Sequence, residues 1–222
     1  MVRILACHAS GSMSVVPLHL VTHPVALDAL AELRHKATRS SAFRAAAHRI
    51  STVVATEALR DLPTEAGEVM TPLGPAPARR LTENLVLAPV LRAGLGMLEA
   101  VLALVPAARV GHIGLRRDEE TAEASRYYAR LPEPLAGCSV IVLDPMLATG
   151  GSARAALDLI KAAGARDLRL VCLVAAPEGV AALERTHPDV PIYTPAVDSH
   201  LNERKFIVPG LGDFGDRLYG TE

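Results

Sequence analysis

From Leu85 onward the chain alternates short, almost wholly apolar runs with stretches of helical period, and no other feature constrains its fold as tightly. LVLAPV (85–90) precedes a helix through Met97–Leu104, and RVGHIGL (109–115) follows. SVIVLD (139–144) precedes a helix over 152–163, LRLVCLVAA (168–176) precedes a helix Glu178–Arg185, and IYTPAV (192–197) closes the series. A strand wetted on one face alternates polar and apolar residues, whereas a strand covered on both faces is a continuous Val/Leu/Ile run. The pattern therefore predicts an α/β domain: a doubly wound, mainly parallel sheet with helices on both faces. In such a sheet ligands bind beyond the C-terminal ends of the strands.

Upstream, residues 25–60 hold two helical patterns, the second with Phe43, Ala47, Ile50, Val54, Ala58 and Leu59 at three-to-four spacing, which predicts an N-terminal helical segment. Pro72, Gly74, Pro75 and Pro77 mark a turn-rich excursion. Residues 1–12 have no period and end in a Ser/Gly cluster, so they are expected to be a disordered extension, with 13–222 a single domain. A chain of 222 residues can bury a full core without disulfide or metal.

Composition narrows the function classes. The net charge of −1 argues against a nucleic-acid face, and 3% aromatics with no Trp argue against a base-stacking platform. The best membrane window, Val86–Ala108, is interrupted by Arg92 and Glu99, and no secretory leader is visible. Cys7, Cys138 and Cys172 are odd in number and far apart; Cys138 and Cys172 fall at or inside apolar runs and read as buried thiols. The expectation is a soluble, cytoplasmic protein.

The most informative segment is Val140-Ile-Val-Leu-Asp-Pro-Met-Leu-Ala-Thr-Gly-Gly-Ser152. A buried strand ends in Asp144, a loop of small residues follows, and Ser152 is placed to N-cap the next helix. Backbone N–H groups and two hydroxyls at the positive end of a helix suit a phosphate monoester; an ordinary glycine-rich turn is the alternative. No Lys follows the Gly pair, so this is not a P-loop.

DPMLATGGS (144–152) resembles the phosphoribosyl diphosphate (PRPP) loop of the type I phosphoribosyltransferases, and more narrowly that of the uracil phosphoribosyltransferases. PVLRAGLGM (89–97), GLRRDEET (114–121), VAAPEG (174–179), LNE (201–203) and FIVPGLGDFGDR (206–217) resemble the same family. The resemblance runs from about His23 to Glu222. It implies transfer of the phosphoribosyl group of PRPP to N1 of uracil, giving UMP and diphosphate in pyrimidine salvage. The alternative is a non-catalytic regulator on the same fold that senses nucleotides and binds RNA; the balanced charge counts against it.

By this resemblance Arg92, Arg117 and Asp144 are the catalytic residues. PRPP is held by Arg92, Arg117, Asp144, Pro145, Met146, Leu147, Ala148, Thr149, Gly150, Gly151, Ser152 and Asp213. A planar guanidinium suits diphosphate oxygens, and Asp144 is expected to accept from the ribose hydroxyls. Mg²⁺ is expected to arrive with PRPP, keeping water and substrate oxygens as ligands, with no protein metal site. Residues 116–131 are expected to form a β-arm, with Tyr127 and Tyr128 packing it. The resemblance further implies a homodimer or higher homo-oligomer and admits a GTP effector.

Gly210-Leu-Gly212-Asp-Phe-Gly215 satisfies G-x-G-x-x-G, but only seven residues follow, so no dinucleotide-binding unit fits. The resemblance makes 198–217 the uracil-binding segment, with Ile207, Gly212, Asp213 and Phe214 around the base. Phe206 and Phe214 depart from the Tyr and small residue usual there. Phe214 is a candidate for narrowing the pocket against 5-substituted uracils. The eight histidines show no ligand spacing.

Overall fold

The apolar runs build one central sheet. The computed structural model describes residues 17–81, 84–117 and 124–221; the expected 1–12 extension lies outside them. In chain order the elements are β1 (Leu18–Leu20), α1 (Pro24–Arg34), α2 (Ser40–Ala58), β2 (Thr64–Thr71), β3 (Gly74–Leu81), β4 (Leu85–Leu91), α3 (Leu95–Leu104), β5 (Arg109–Val110), β6 (His112–Arg117) and β7 (Ala124–Arg130). They continue with β8 (Ser139–Leu143), β9 (Met146–Leu147), α4 (Gly151–Ala162), β10 (Asp167–Val171), β11 (Val174–Ala175), α5 (Pro177–Thr186), β12 (Ile192–Thr194), β13 (His200–Leu201), β14 (Ile207–Val208) and α6 (Phe214–Tyr219).

The main sheet runs β1-β12-β10-β8-β4-β6-β7, parallel except for the antiparallel β6–β7 edge, with β5 also paired to β4. Taking β4, β6, β8, β10 and β12 as first to fifth, the order is 2-1-3-4-5. The chain leaves β4 to one side and resumes on the other, which opens a crevice between the C-terminal ends of β4 and β8.

Period-two packing explains the unbroken apolar runs. Leu85 and Leu87 of β4, with Ile141 and Leu143 of β8, face the core shared with α1, α2, α3 and α6. Val86, Ala88, Val140 and Val142 face the opposite core, where α4 inserts Ala153, Ala156, Leu157 and Ile160 and α5 inserts Val180 and Leu183. Cys138 and Cys172 are free and buried. Burial pushes the Cys172 thiol up to about 12.

The structure revises several expectations. RVGHIGL divides at Gly111 into β5 and β6, and LRLVCLVAA divides into β10 and β11, because β11 leaves the main sheet to pair with β9. The turn-rich excursion belongs to an antiparallel hairpin, β2–β3, with eight residues in each strand, closed by Pro72 and Leu73. Pro75 and Pro77 are two residues apart, so both missing N–H groups fall on one edge of β3, which an edge strand tolerates. The β-arm is the β6–β7 pair, which starts at His112, before the expected 116; residues 118–123 lie outside the described residues. A Cβ at Gly114 would meet the Tyr127 ring at 2.5 Å, so Tyr127 packs across the arm as expected.

Candidate active site

Three segments converge at the C-terminal end of the sheet. The first is the 144–152 loop, which leaves β8 at the partly buried Asp144. Pro145 O accepts from Leu173 N (2.9 Å) and Val174 N (3.1 Å), and the β9–β11 ladder fixes the next two residues. Gly150 has φ +80°, a left-handed conformation that glycine adopts without strain, and α4 begins at Gly151. Ser152 is therefore not the N-cap but lies inside the first turn. Thr149 Oγ1 instead accepts from Gly151 N at 3.4 Å. Residues 144 and 146–153 line a small cleft at the start of α4, a twelve-residue helix whose dipole favours an anion there.

The second segment is the β4–α3 turn carrying Arg92. A Cβ at Gly94 would lie 2.3 Å from Leu143 O, so only glycine lets this turn lean on the residue preceding Asp144. The Arg92 side chain is 61% exposed, with Nη2 3.4 Å from Asp216 Oδ1. Tyr219 donates its hydroxyl proton to Arg92 O at 3.3 Å. Arg117 ends β6, which runs parallel to β4. Thus Asp144, Arg92 and Arg117 follow or end three neighbouring parallel strands.

The third segment is the β13–β14 hairpin and the turn into α6. It forms a cavity lined by Arg204, Lys205, Phe206, Ile207, Gly212, Asp213 and Phe214 together with Met146 and Ala148 of the 144–152 loop. Every base-site residue expected from sequence borders this cavity. The Phe214 ring, however, is 1% exposed and packs edge-on against Phe43 at 5.2 Å, so it fills the core. Phe206, which also borders the cavity, is 44% exposed. Asp213 N-caps α6, accepting from Asp216 N at 2.9 Å. Leu201 N donates to Glu178 at 2.9 Å, a bond that holds this carboxyl below its usual range.

Sequence reasoning did not single out Arg34, Asp198 or Arg217. Asp198 pairs with Arg34 through two bonds of 2.6 and 2.8 Å, and Arg217 bonds Leu33 O, Leu211 O and His35 O. Their partners lie up to 184 positions away, and charged residues in loops carry no period that would betray such pairing. Among the described residues no three His, Cys, Asp or Glu side chains form a metal-holding group, and no helix is long and apolar enough to cross a membrane.

A doubly wound sheet in the order 2-1-3-4-5, with a small cleft in the loop after its third strand and a cavity sharing two residues with that loop, is the arrangement expected of a type I phosphoribosyltransferase. The profile of the uracil phosphoribosyltransferases matches residues 20–221. The uracil phosphoribosyltransferase of Symbiobacterium thermophilum is 53% identical over 204 residues, covering 91% of this chain and 98% of that protein. That of Shouchella clausii is 50% identical over 206 residues, covering 92% and 99%. A solved structure of the AQ2163 protein from Aquifex aeolicus superposes with a TM-score of 0.89 at 39% identity, covering 92% of this chain and 99% of that one. The chain belongs to the uracil phosphoribosyltransferase family.

Proposed function

We propose that this protein transfers the 5-phosphoribosyl group of PRPP to N1 of uracil, forming UMP and releasing diphosphate. The observation that carries this reading is the wall formed by Met146 and Ala148, which belong both to the anion cleft and to the 204–214 cavity. A phosphate seated at the start of α4 and a planar base in the cavity are then joined by one ribose. The C1–oxygen bond to diphosphate breaks as the N1–C1 bond forms, and the N1 proton leaves to solvent. Positive charge develops on the ribose in the transition state, so positioning and electrostatics dominate over side-chain proton transfer.

Each residue has a role in this scheme. Backbone N–H groups of 149–152, with the hydroxyls of Thr149 and Ser152, hold the 5-phosphate. Asp144 accepts from the ribose hydroxyls and fixes the ring. Arg92 and Arg117 neutralise the leaving diphosphate, and Asp213 also reaches PRPP. Ile207 and the Gly212–Phe214 backbone read the edge of uracil. A backbone acceptor for N3–H and a donor for O4 reject cytosine, because a mismatched edge leaves buried groups unpaired.

The residues suit a divalent ion carried by the substrate. Asp144 places one hard oxygen donor at the cleft, and a Mg²⁺ ion carried by PRPP would keep water and substrate oxygens as its other ligands. Bound there, the ion would offset diphosphate charge. Buried free thiols at Cys138 and Cys172 accord with a cytoplasmic setting. Self-association is supported by the β2–β3 hairpin, which leaves Met70 77% and Leu73 99% exposed.

Incubation with PRPP, Mg²⁺ and a panel of bases tests the reading. UMP from uracil, with no nucleotide from cytosine or purines, is expected. No product with any base, or product with a purine, refutes it.

A further inference from the structure

We propose that Arg34 and Asp198 are positioning residues for base recognition: together they clamp both polar groups of Gly210 and so set the backbone that reads uracil. The inference rests on the uracil phosphoribosyltransfer reading above.

Asp198 is anchored to β11, since its N–H donates to Ala175 O at 2.8 Å and its neighbour Val197 bridges to Ala175. Its carboxylate is only 6% exposed. Oδ2 accepts from Gly210 N at 2.8 Å and from Arg34 Nη1 at 2.8 Å, while Oδ1 accepts from Arg34 Nη2 at 2.6 Å. Arg34 Nη1 also donates to Gly210 O at 2.9 Å. The N–H and the C=O of one residue are thus held by opposite members of one ion pair.

That residue is a strategic point of the loop. Gly210 has φ +58°, and a Cβ there would lie 2.1 Å from Ile207 O, so its backbone is folded tightly against the end of the β13–β14 hairpin. It precedes Gly212, Asp213 and Phe214, which border the cavity. The next carbonyl, Leu211 O, accepts from Arg217 Nη1 at 2.7 Å, and Arg217 Nη2 donates to His35 O at 2.8 Å. The end of α1 is therefore the post from which the base loop hangs. Arg34 is the last residue of that helix, where a cation is favoured by the dipole. Lysine cannot reproduce this clamp, because only the planar guanidinium spans both carboxylate oxygens and the carbonyl.

Neither side chain borders the base cavity or the anion cleft. Their loss should therefore fall on base binding and spare the phosphate loop, which hangs from β8 and β11. Steady-state kinetics of Arg34→Ala, Arg34→Lys and Asp198→Asn, varying uracil and PRPP separately, tests this. In Arg34→Ala the uracil KM is expected to rise about tenfold or more, from the loss of charge-assisted bonds. Its PRPP KM should rise severalfold less than the uracil KM, because the base loop gives PRPP only Asp213, and kcat at saturating uracil should change less than the uracil KM. Arg34→Lys should recover part of the uracil KM. A folded Arg34→Ala whose uracil KM is unchanged overturns the proposal, as does one whose PRPP KM rises equally. Should Arg34→Ala not fold, the near-isosteric Asp198→Asn decides the question on the same split. Failure of the wild-type chain to make UMP would instead sink the underlying function.

Discussion

Replacing Gly179 by Ala probes the 144–152 loop without replacing a residue assigned to substrate. Gly179 lies in the first turn of α5, beneath the loop. A Cβ there would lie 2.5 Å from Ala148 O, 2.7 Å from Leu147 O and 3.0 Å from Leu147 Cγ. Ordinary contact begins near 3.4 Å, so the two carbonyls must retreat by about 0.9 and 0.7 Å, or α5 must lift away. Two effects then oppose each other. Alanine gains up to about 1 kcal/mol over glycine in a helix, less in a first turn. Overpacking costs about 1–3 kcal/mol. The clash wins, because both oxygens are backbone and Leu147 O is already engaged by Ala176 N at 2.8 Å. A net loss of about 1–2 kcal/mol lowers Tm by about 2–8 °C in a chain of this size. The larger consequence is functional: displacement by nearly 1 Å of the loop proposed to hold the phosphate costs about 10- to 100-fold in rate. Thermal melting and initial rates of UMP formation with varied PRPP report the two effects. A variant with kcat/KM for PRPP within twofold of wild type, and an equal or higher Tm, would show that α5 and the loop are not packed as closely as described.

Other expectations follow from the same geometry. Arg92→Ala and Asp144→Asn should each lower UMP formation about tenfold or more while melting like the wild type, since each removes a charged hydrogen-bonding group from an exposed or partly exposed position; near-normal rates would remove those residues from the scheme. Phe214→Ala should lose about 3–5 kcal/mol of stability, read from chemical denaturation, while leaving the 5-fluorouracil to uracil rate ratio unchanged, because its ring packs on Phe43 in the core. A changed ratio in a protein of normal stability would contradict that placement. His187 is 3% exposed, and desolvation chiefly, with Lys161, pulls its pKa below the ordinary value despite Asp158 at 3.3 Å and nearby Asp189. Its unfolded form therefore takes up a proton first as pH falls, so its contribution to stability is present above about pH 6.5 and is lost through the range below. The Tm of His187→Leu should fall less steeply than that of wild type between about pH 7 and 5.5, and parallel curves would refute the linkage.

The fold was legible because its signals are local. An apolar run such as Val140–Leu143 can be stable only between two helical layers, and the helices around it have their own period. The strand–loop–helix arrangement around 144–152 was legible for the same reason: a strand end, small residues and a helix start are contiguous from Asp144 to Ser152. Even there a local rule misassigned the cap, because the left-handed backbone of Gly150 starts the helix one residue before Ser152. The β2–β3 hairpin was missed because Pro75 and Pro77 signal turns unless the edge they face is known. The inward turn of Phe214 was missed because its neighbour Phe43 lies in α2, far away in the chain.

What the sequence by itself determined is the set of parts: continuous apolar strands, amphipathic helices, a loop of small residues between a strand and a helix, and motifs matching one enzyme family. Each is encoded within about a dozen adjacent residues, where periodicity, turn chemistry and helix dipoles act. Only the tertiary structure decided how the parts meet. It brought the Met146–Ala148 wall against Gly212–Phe214, leaned the Arg92 turn on Leu143 through the missing side chain of Gly94, and hung Gly210 from Arg34 and Asp198. Those contacts join residues that are remote in the chain, and their geometry exists only once the whole sheet has formed.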